Sequence, residues 1–377
     1  MKNKIKIVSI VISISAFSVA LLISVFFLFV SCEKQKAEWK GKIEEENGVI
    51  VVKNPKEPIY GEDVFSLEKE LSIGEALGRE EYMFSEIRDI AVDDEERIYV
   101  LDSKEAHIKV FDKNGKYVKT ISKKGQGPGE IGFPRSVFIT SQNEIMVPDI
   151  SNRRLAFFSL EGKFIRNIST AKMNLRSTRI DSEGNIIGVV AVIDEEDLRH
   201  EIKKFDSDLN YLYSFISSLA PSPRSFNPFM PVLRWDLTTN DQIVCGYPKK
   251  YEIDIFDSKG KVIRKIMKDY EPVEITKEEI ERIEELPPTI KLSILKYKSA
   301  YQGLIAGDEG KIFILTWERV ANGDGYYYDI FDSEGKYVAK IPLKATPQVL
   351  KKNKLYTIEE DEKGYQAVKR YKVTWKY

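Results

Sequence analysis

Phe111-Asp112-Lys113-Asn114-Gly115-Lys116 is a phrase that this chain repeats. It returns as Phe158-Ser159-Leu160-Glu161-Gly162-Lys163, as Phe256-Asp257-Ser258-Lys259-Gly260-Lys261 and as Phe331-Asp332-Ser333-Glu334-Gly335-Lys336. A degenerate copy, Phe205-Asp206-Ser207-Asp208-Leu209-Asn210, falls between the second and third. The phenylalanines stand 47, 47, 51 and 75 residues apart. A period of this size marks a repeat architecture, in which each unit buries its apolar face against its neighbours.

Residues 87 to 121 show the unit most clearly. Ile87, Ile90 and Val92 precede the turn Asp93-Asp94-Glu95-Glu96, and Ile98-Tyr99-Val100-Leu101-Asp102 follows. Ile108-Lys109-Val110-Phe111 and Tyr117-Val118-Lys119-Thr120-Ile121 complete it. These are four short runs of β-branched and aromatic residues between Asp, Asn and Gly clusters. Such runs suit strands joined by hairpins, because Gly tolerates positive φ and Asp or Asn can bond the turn backbone. No long helical period competes, and a β-helix would have shorter repeats.

Four strands every 40 to 50 residues make a propeller blade. The five phrases predict blades at 84–121, 133–168, 172–216, 229–266 and 299–341. The tail supplies three more strands, Gln348–Leu350, Leu355–Ile358 and Val368–Val373, with no fourth. Val64–Ile73, upstream of the first blade, is the strand left over. The expected fold is therefore all-β, a six-bladed propeller of four antiparallel strands per blade. The N-terminal strand closes the last blade and so removes an open edge.

With these residues in place, the chain resembles the NHL-type six-bladed β-propeller lipoprotein family of bacteria. The matching residues are Gly125-Gln126-Gly127-Pro128-Gly129-Glu130 with Phe133-Pro134, Asp149 with Asn152-Arg153-Arg154, and Phe158 with Gly162-Lys163-Phe164-Ile165-Arg166. The resemblance spans about residues 48–377. It speaks for the fold and little for function, since propellers host both enzymes and binding proteins.

The leader reads separately. Lys2, Lys4 and Lys6 precede an uncharged apolar stretch from Ile7 to Val30, which ends at Phe29-Val30-Ser31-Cys32 before Glu33-Lys34. Residues 1–32 are expected to be a lipoprotein signal peptide with Cys32 as the lipidated residue, or else an uncleaved signal anchor. Phe29 stands where a lipobox usually has Leu. Either alternative puts the propeller outside the cytoplasm, in the cell envelope. Glu33 after the cysteine permits the outer membrane if the cell is Gram-negative. Residues 33–47, rich in Lys and Glu, are expected to be a solvated tether, and 48–377 the propeller.

Without Lys2, Lys4 and Lys6, 55 basic residues face 59 acidic ones, a net charge near −4. That balance speaks against nucleic acid as a partner. With the Cys32 sulfur taken by lipid, Cys245 would be the one free thiol, so no internal disulfide is expected.

Propeller geometry sends the connections between blades, and the turns between second and third strands, to one face. The Phe-Asp-x-x-Gly-Lys hairpins go to the other. Arg88, Arg135 and Arg176 each precede the next strand's opening isoleucine by ten residues, and Arg234 precedes Ile243 by nine. Equivalent positions in consecutive blades place these guanidiniums at the mouth of the central channel. There they would either bind carboxylate or phosphate oxygens or pair with acidic neighbours such as Glu86 and Glu130.

Insertions at 217–232, rich in Pro and aromatic residues, and at 272–299 belong to the same face. Thr276-Lys277-Glu278-Glu279 reads as a capping box opening a helix before blade 5, with a second helical stretch from Ile290 to Tyr297. The pair would form either a lid or a cover over the blade tops, with Trp235, Tyr297 and Tyr301 as stacking surfaces for sugars or peptides.

His107 and His200 lie on different blades without metal-ligand spacing, and His107 is expected to be an exposed loop residue. No cofactor is predicted. Calcium or another divalent cation at Asp102 and Asp149 with Asn152 is the alternative to strand-ending turn bonds, which are preferred. The function expected is a lipid-anchored, extracytoplasmic module binding a protein, an anion or a carbohydrate through its decorated face. The competing reading is a metal-assisted hydrolase or lyase of the sugar-lactone type.

Overall fold

Strand pairing makes each copy of the repeated phrase the last hairpin of a four-stranded blade. A computed structural model of the protein describes residues 38–377 apart from 174, 195–196, 221–224, 285–290, 293–294 and 322. The expected leader and Cys32 lie outside the described residues.

The described chain opens with β1 (Lys42–Glu46), β2 (Val49–Asn54) and β3 (Phe65–Ile73). Blade 1 is β4 (Ile87–Val92), β5 (Ile98–Asp102), β6 (His107–Phe111) and β7 (Tyr117–Ile121). Blade 2 is β8 (Phe138–Ile139), β9 (Glu144–Asp149), β10 (Arg154–Ser159) and β11 (Phe164–Ser169). Blade 3 is β12 (Leu175–Ile180), β13 (Ile186–Asp194), β14 (Asp197–Phe205) and β15 (Tyr211–Leu219).

After β16 (Ser225–Phe226) comes blade 4, which is β17 (Arg234–Leu237), β18 (Ile243–Gly246), β19 (Glu252–Phe256) and β20 (Val262–Lys268). Helix α1 (Lys277–Glu284) and β21 (Lys291–Leu292) precede blade 5, which is β22 (Gly303–Ala306), β23 (Ile312–Arg319), β24 (Tyr326–Phe331) and β25 (Tyr337–Leu343). Blade 6 begins with β26 (Pro347–Lys351), β27 (Lys354–Glu360) and β28 (Gln366–Trp375). Its fourth strand is β3, paired with β28 from Val368↔Ile73 to Trp375↔Phe65. The N-terminal closure expected from the sequence is present.

The repeated residues have two jobs. Asp112 Oδ1 accepts the amides of Asn114 and Lys116 at 2.9 Å each, holding the hairpin turn. Asp257 and Asp332 do the same in their blades. Gly115 takes φ +78°, and an added Cβ there would lie 2.6 Å from Leu71 of β3. The turn therefore needs glycine for its conformation and for its seat on the preceding blade.

The phenylalanine buries against that preceding blade too. Phe111 packs with Tyr356 and Val368 of blade 6, Phe158 with Leu101 and Ile121 of blade 1, and Phe331 with Ile253 and Ile266 of blade 4. The buried residues form six clusters, one at each junction between consecutive blades. Each such ring is worth about 3–5 kcal/mol against truncation to alanine. Blade 6 carries a further hairpin of this kind, with Asp361 bonding the amides of Lys363 and Tyr365 before Gly364, although Glu360 replaces phenylalanine.

One segment departs from expectation. Lys42–Glu46, assigned to the tether, is strand β1, and it turns through Asn47 (φ +53°) and Gly48 (φ +76°) into β2. Two successive positive φ angles make the mirror-image turn that Asn-Gly favours in two-residue hairpins. β2 then pairs in parallel with β20, from Ile50↔Arg264 to Asn54↔Lys268. Ile59 and Tyr60 donate their amides to Tyr337 and Val338 on the rim of blade 5.

From there the chain becomes β3 in blade 6. The N-terminal segment is thus a strap along the rims of blades 4, 5 and 6. Buried Asn54 pins it, donating to Gly335 O (2.9 Å) and Met267 O (3.2 Å) and accepting from Tyr337 N (2.7 Å) and Trp39 Nε1 (3.0 Å). Among the described residues no helix is long and apolar enough to cross a membrane.

Candidate functional site

The first strands of neighbouring blades adjoin, β4 with β8 and β26, and β17 with β22, so they ring the propeller axis. Register defines the two ends of this ring. Ile87 lies beside Asp102, which pairs with His107, whereas Val92 lies beside Ile98, which pairs with Phe111. The first end is the face of the connections between blades. The second is the face of the hairpin phrases.

Arg88, Arg176 and Arg234 sit at the connection-side ends of β4, β12 and β17, and Arg135 follows Pro134, which bridges to Asp149 at the same level. All four are exposed. Arg88 approaches Glu86 at 3.6 Å, a loose and solvent-exposed pair. Arg135 lies over the Phe133 ring at 5.9 Å and has no acidic partner among the described residues. Glu130 instead accepts from Gly127 N and pairs with Lys123. Arg234 also lacks an acidic partner among the described residues. Desolvation by the surrounding protein holds its guanidinium below the usual range, with only the nearby Tyr301 opposing this.

Trp235 and Tyr301, expected as stacking surfaces, are corrected by burial. Side chains alternate along a strand, so Arg234 facing solvent turns Trp235 inward, where it packs with Ile187, Leu233 and Phe256 between blades 3 and 4. Tyr301 is 0% exposed and donates its hydroxyl to Glu252 O at 3.1 Å. Tyr297 is 41% exposed, with Lys296 Nζ 4.9 Å above its ring.

The arginine that binds the first strands together is one the sequence did not single out. Arg179 Nε donates to Asp236 Oδ1 at 3.0 Å, and its guanidinium lies 4.6 Å over Phe138 and 5.8 Å from Trp235. Asp236 Oδ2 accepts the Ala306 amide of blade 5, and Asp89 Oδ2 accepts the Val137 amide entering blade 2. Burial raises the Asp89 carboxyl to about 6, against the pull of the Val137 and Ile90 amides and of Arg179 and Arg88. This network ties blades 1 to 5 across the axis. Its partners are 57 residues apart, so no local pattern could reveal it.

The two insertions meet. Ser225–Phe226 and Lys291–Leu292 pair in parallel, and Ser299 donates its amide to Phe229 O. The capping box is present, with Thr276 N donating to Glu279 Oε2 (3.0 Å) and Glu279 N to Thr276 Oγ1 (3.3 Å). The expected second helix is corrected: Lys291–Leu292 is strand, and Tyr297 bridges antiparallel to Glu274. Lys298 clamps the arrangement, nearly buried between Phe229 and Trp317 and bonded to Glu279 at 2.7 Å. Burial alone would raise the Glu279 carboxyl, but Lys298 and the Thr276 amide overcome it and hold it below the usual range.

Asp102 and Asp149 hold loops. Asp102 accepts the amides of Ser85, Glu86 and Glu105. Asp149 accepts from Gly132 N, Phe133 N, Ser151 Oγ and Asn152 Nδ2, and Arg154 lies 3.4 Å away. With these donors and a cation already in place, the Asp149 carboxylate is a poor hard-cation ligand. His107, expected to be exposed, is half-buried with Nε2 shielded from solvent. Burial lowers its pKa, as it does that of His200, where the Arg176 charge adds to the effect.

Comparison with known proteins agrees with the ring. The family model DUF5128, described as a 6-bladed beta-propeller, matches residues 78–233. A Bacteroides fragilis protein inferred to be exported has a similar structure at TM-score 0.57 and 12% identity, covering 87% of this chain and 100% of its own. A member of the DUF4221 family from Bacteroides vulgatus gives TM-score 0.50 and 13% identity, covering 84% and 100%. A search of curated proteins finds no match. The chain is a six-bladed β-propeller with four antiparallel strands per blade.

Proposed function

We propose that this propeller is an extracytoplasmic, lipid-anchored binding module of the NHL-type lipoprotein kind, taking an anionic group at the channel mouth through Arg135 and Arg234, with Arg88 and Arg176 beside them. The observation that carries the reading is a contrast within one ring of strands. Arg179 is committed to Asp236, while Arg135 and Arg234 have no carboxylate partner among the described residues. An exposed guanidinium without a carboxylate partner is open to a carboxylate, phosphate or sulfate group from outside.

Tyr297, exposed beside Lys296, is the one expected stacking surface that remains accessible. The leader's Phe29-Val30-Ser31-Cys32 supports lipidation at Cys32, and the exported Bacteroides fragilis neighbour supports a place outside the cytoplasm.

The test is a titration with citrate, tripolyphosphate and heparin, followed by melting temperature and calorimetry. The variant Arg135→Gln/Arg234→Gln should lose at least about tenfold in affinity for the anion that binds, with its own melting temperature unchanged. If none of the three anions binds, or the variant binds as the parent does, the reading fails.

A further inference from the structure

The rim of the ring is covered over blades 4 and 5. β2 covers the outer edge of β20, and Ile59 and Tyr60 bond along that of β25. β7, β11 and β15 close blades 1, 2 and 3, and no described strand pairs with their outer edges, although Tyr117 N of β7 donates to the Tyr82 hydroxyl. Exposed large apolar side chains occur on the N-terminal strands (Ile43, Ile50 and Leu67) and on the bare rim. Val118, Phe164, Ile165, Tyr211, Leu212 and Leu219 stand out on the three bare strands, while β20 and β25 have none of comparable exposure.

A bare strand edge is a template for another strand, and proteins ordinarily guard it with charge or proline. β7 has Lys119 and β11 has Arg166, which is held by Glu144 at 2.6 and 2.8 Å. β15 has neither guard. Its nine residues, Tyr-Leu-Tyr-Ser-Phe-Ile-Ser-Ser-Leu, contain no charge, proline or glycine, and Tyr211 is 58% exposed.

We propose that β15 is a self-association edge, at which two copies of this chain pair antiparallel about a twofold axis and join their third blades into one eight-stranded sheet. Charge decides the choice of strand and of occupant. In an antiparallel self-pair each residue near the centre faces its own copy or a near neighbour, so Lys119 in β7 or Arg166 in β11 would meet a like charge. β15 meets only neutral groups, with Phe215 at its midpoint. A second copy supplies the same uncharged strand, its exposed tyrosine and leucines, and no unpaired ion to desolvate. A single strand pair buries little surface, so the dimer is a weak one, near micromolar or above.

Sedimentation of the full chain in detergent, across a concentration series, tests this. The parent should shift from monomer to dimer, and Ser214→Lys, which places a charge at the exposed centre of β15, should weaken dimerisation at least about tenfold. Leu219→Lys, at the strand end, provides a second variant should the first fail to fold. Val118→Lys, on β7, should dimerise as the parent does. A parent that stays monomeric up to roughly 200 µM overturns the proposal. So does a dimer unaffected by well-folded β15 variants, or one equally weakened by Val118→Lys.

Discussion

Blades 1–3 and blades 4–6 are built from the same unit and solve its edge problem differently. In blades 1–3 the outer strands face solvent and the phenylalanines keep a 47-residue period. In blades 4–6 the N-terminal segment lies along two rims and supplies the third, and an insertion carrying α1 stretches the spacing to 75 residues. The junctions differ as well. Between blades 4 and 5, buried Asp329 accepts the hydroxyls of Tyr251 and Tyr337 at 2.6 Å each and pairs with buried Lys268 at 3.2 Å. Lys204 of blade 3 meets Asp181 at 2.7 Å and donates to Ser258 O of blade 4 at 3.2 Å, but Asp181 also accepts three bonds from its own turn. Both halves carry polar ties between blades, the bare half through Asp89, Arg179 and Lys204, but the strapped half adds a buried charge cluster and the N-terminal strap.

The largest test of this contrast is deletion. Removing residues 39–73 takes away both strap and closure, and the product should show no cooperative thermal transition. Removing only 39–54 leaves β3 in place and should give a folded ring whose melting temperature falls by roughly 5–10 °C. If the shorter deletion also abolishes the transition, the strap is part of the minimal fold and the halves are not separable.

Next comes the polar bracing. Asp329→Ala strands a buried ammonium and two hydroxyls and should cost about 3–5 kcal/mol in urea unfolding. Lys204→Met loses the bond to Ser258 O but leaves Asp181 with its turn bonds, and should cost about 1–2 kcal/mol. Equal losses would erase the distinction between the two kinds of brace.

Glycines in the hairpins sharpen it further. Gly115→Ala meets Leu71 as well as an unfavourable φ and should lose about 2–3 kcal/mol. Gly364→Ala has the same kind of φ, +84°, but its nearest neighbour is 3.6 Å away, so about 1 kcal/mol is expected.

The smallest effect concerns pH. The folded Asp89 carboxyl titrates near 6, above its ordinary 3.8. The stability it contributes is therefore complete below pH 3.8 and is lost as pH rises through about 6. Asp89→Asn should flatten that part of the stability profile. Because the residue keeps some solvent contact, the change is modest, and an unaltered slope would mean that Asp89 is charged throughout.

Much of the ring was legible because its physics is local. A hairpin needs its aspartate and glycine within five residues, and the phenylalanine that precedes them buries against the neighbouring blade in every copy. The closure was legible by subtraction, three strands at one end and one at the other. The strap was missed although Asn47-Gly48, between Lys42–Glu46 and Val49–Asn54, is a strong hairpin signal; the acidic run disguised the first strand as a tether. At the channel mouth, the spacing of Arg88, Arg135, Arg176 and Arg234 put them on one face. It gave no warning that alternation would turn Trp235 inward or that Arg179 would reach Asp236 in the next blade, since such partners meet only once the ring exists.

Phe65 and Trp375 face each other across the closing seam, so nearly the first strand made must wait for the last. Until translation and any export are complete, β3 has no partner and offers its edge to whatever is nearby. Such a long-range pairing is slow to form, and a chain cut short before β28 is left with an adhesive N-terminus. The seam that completes blade 6 makes every unfinished copy a hazard, which places the demand for chaperoning at the start of the chain.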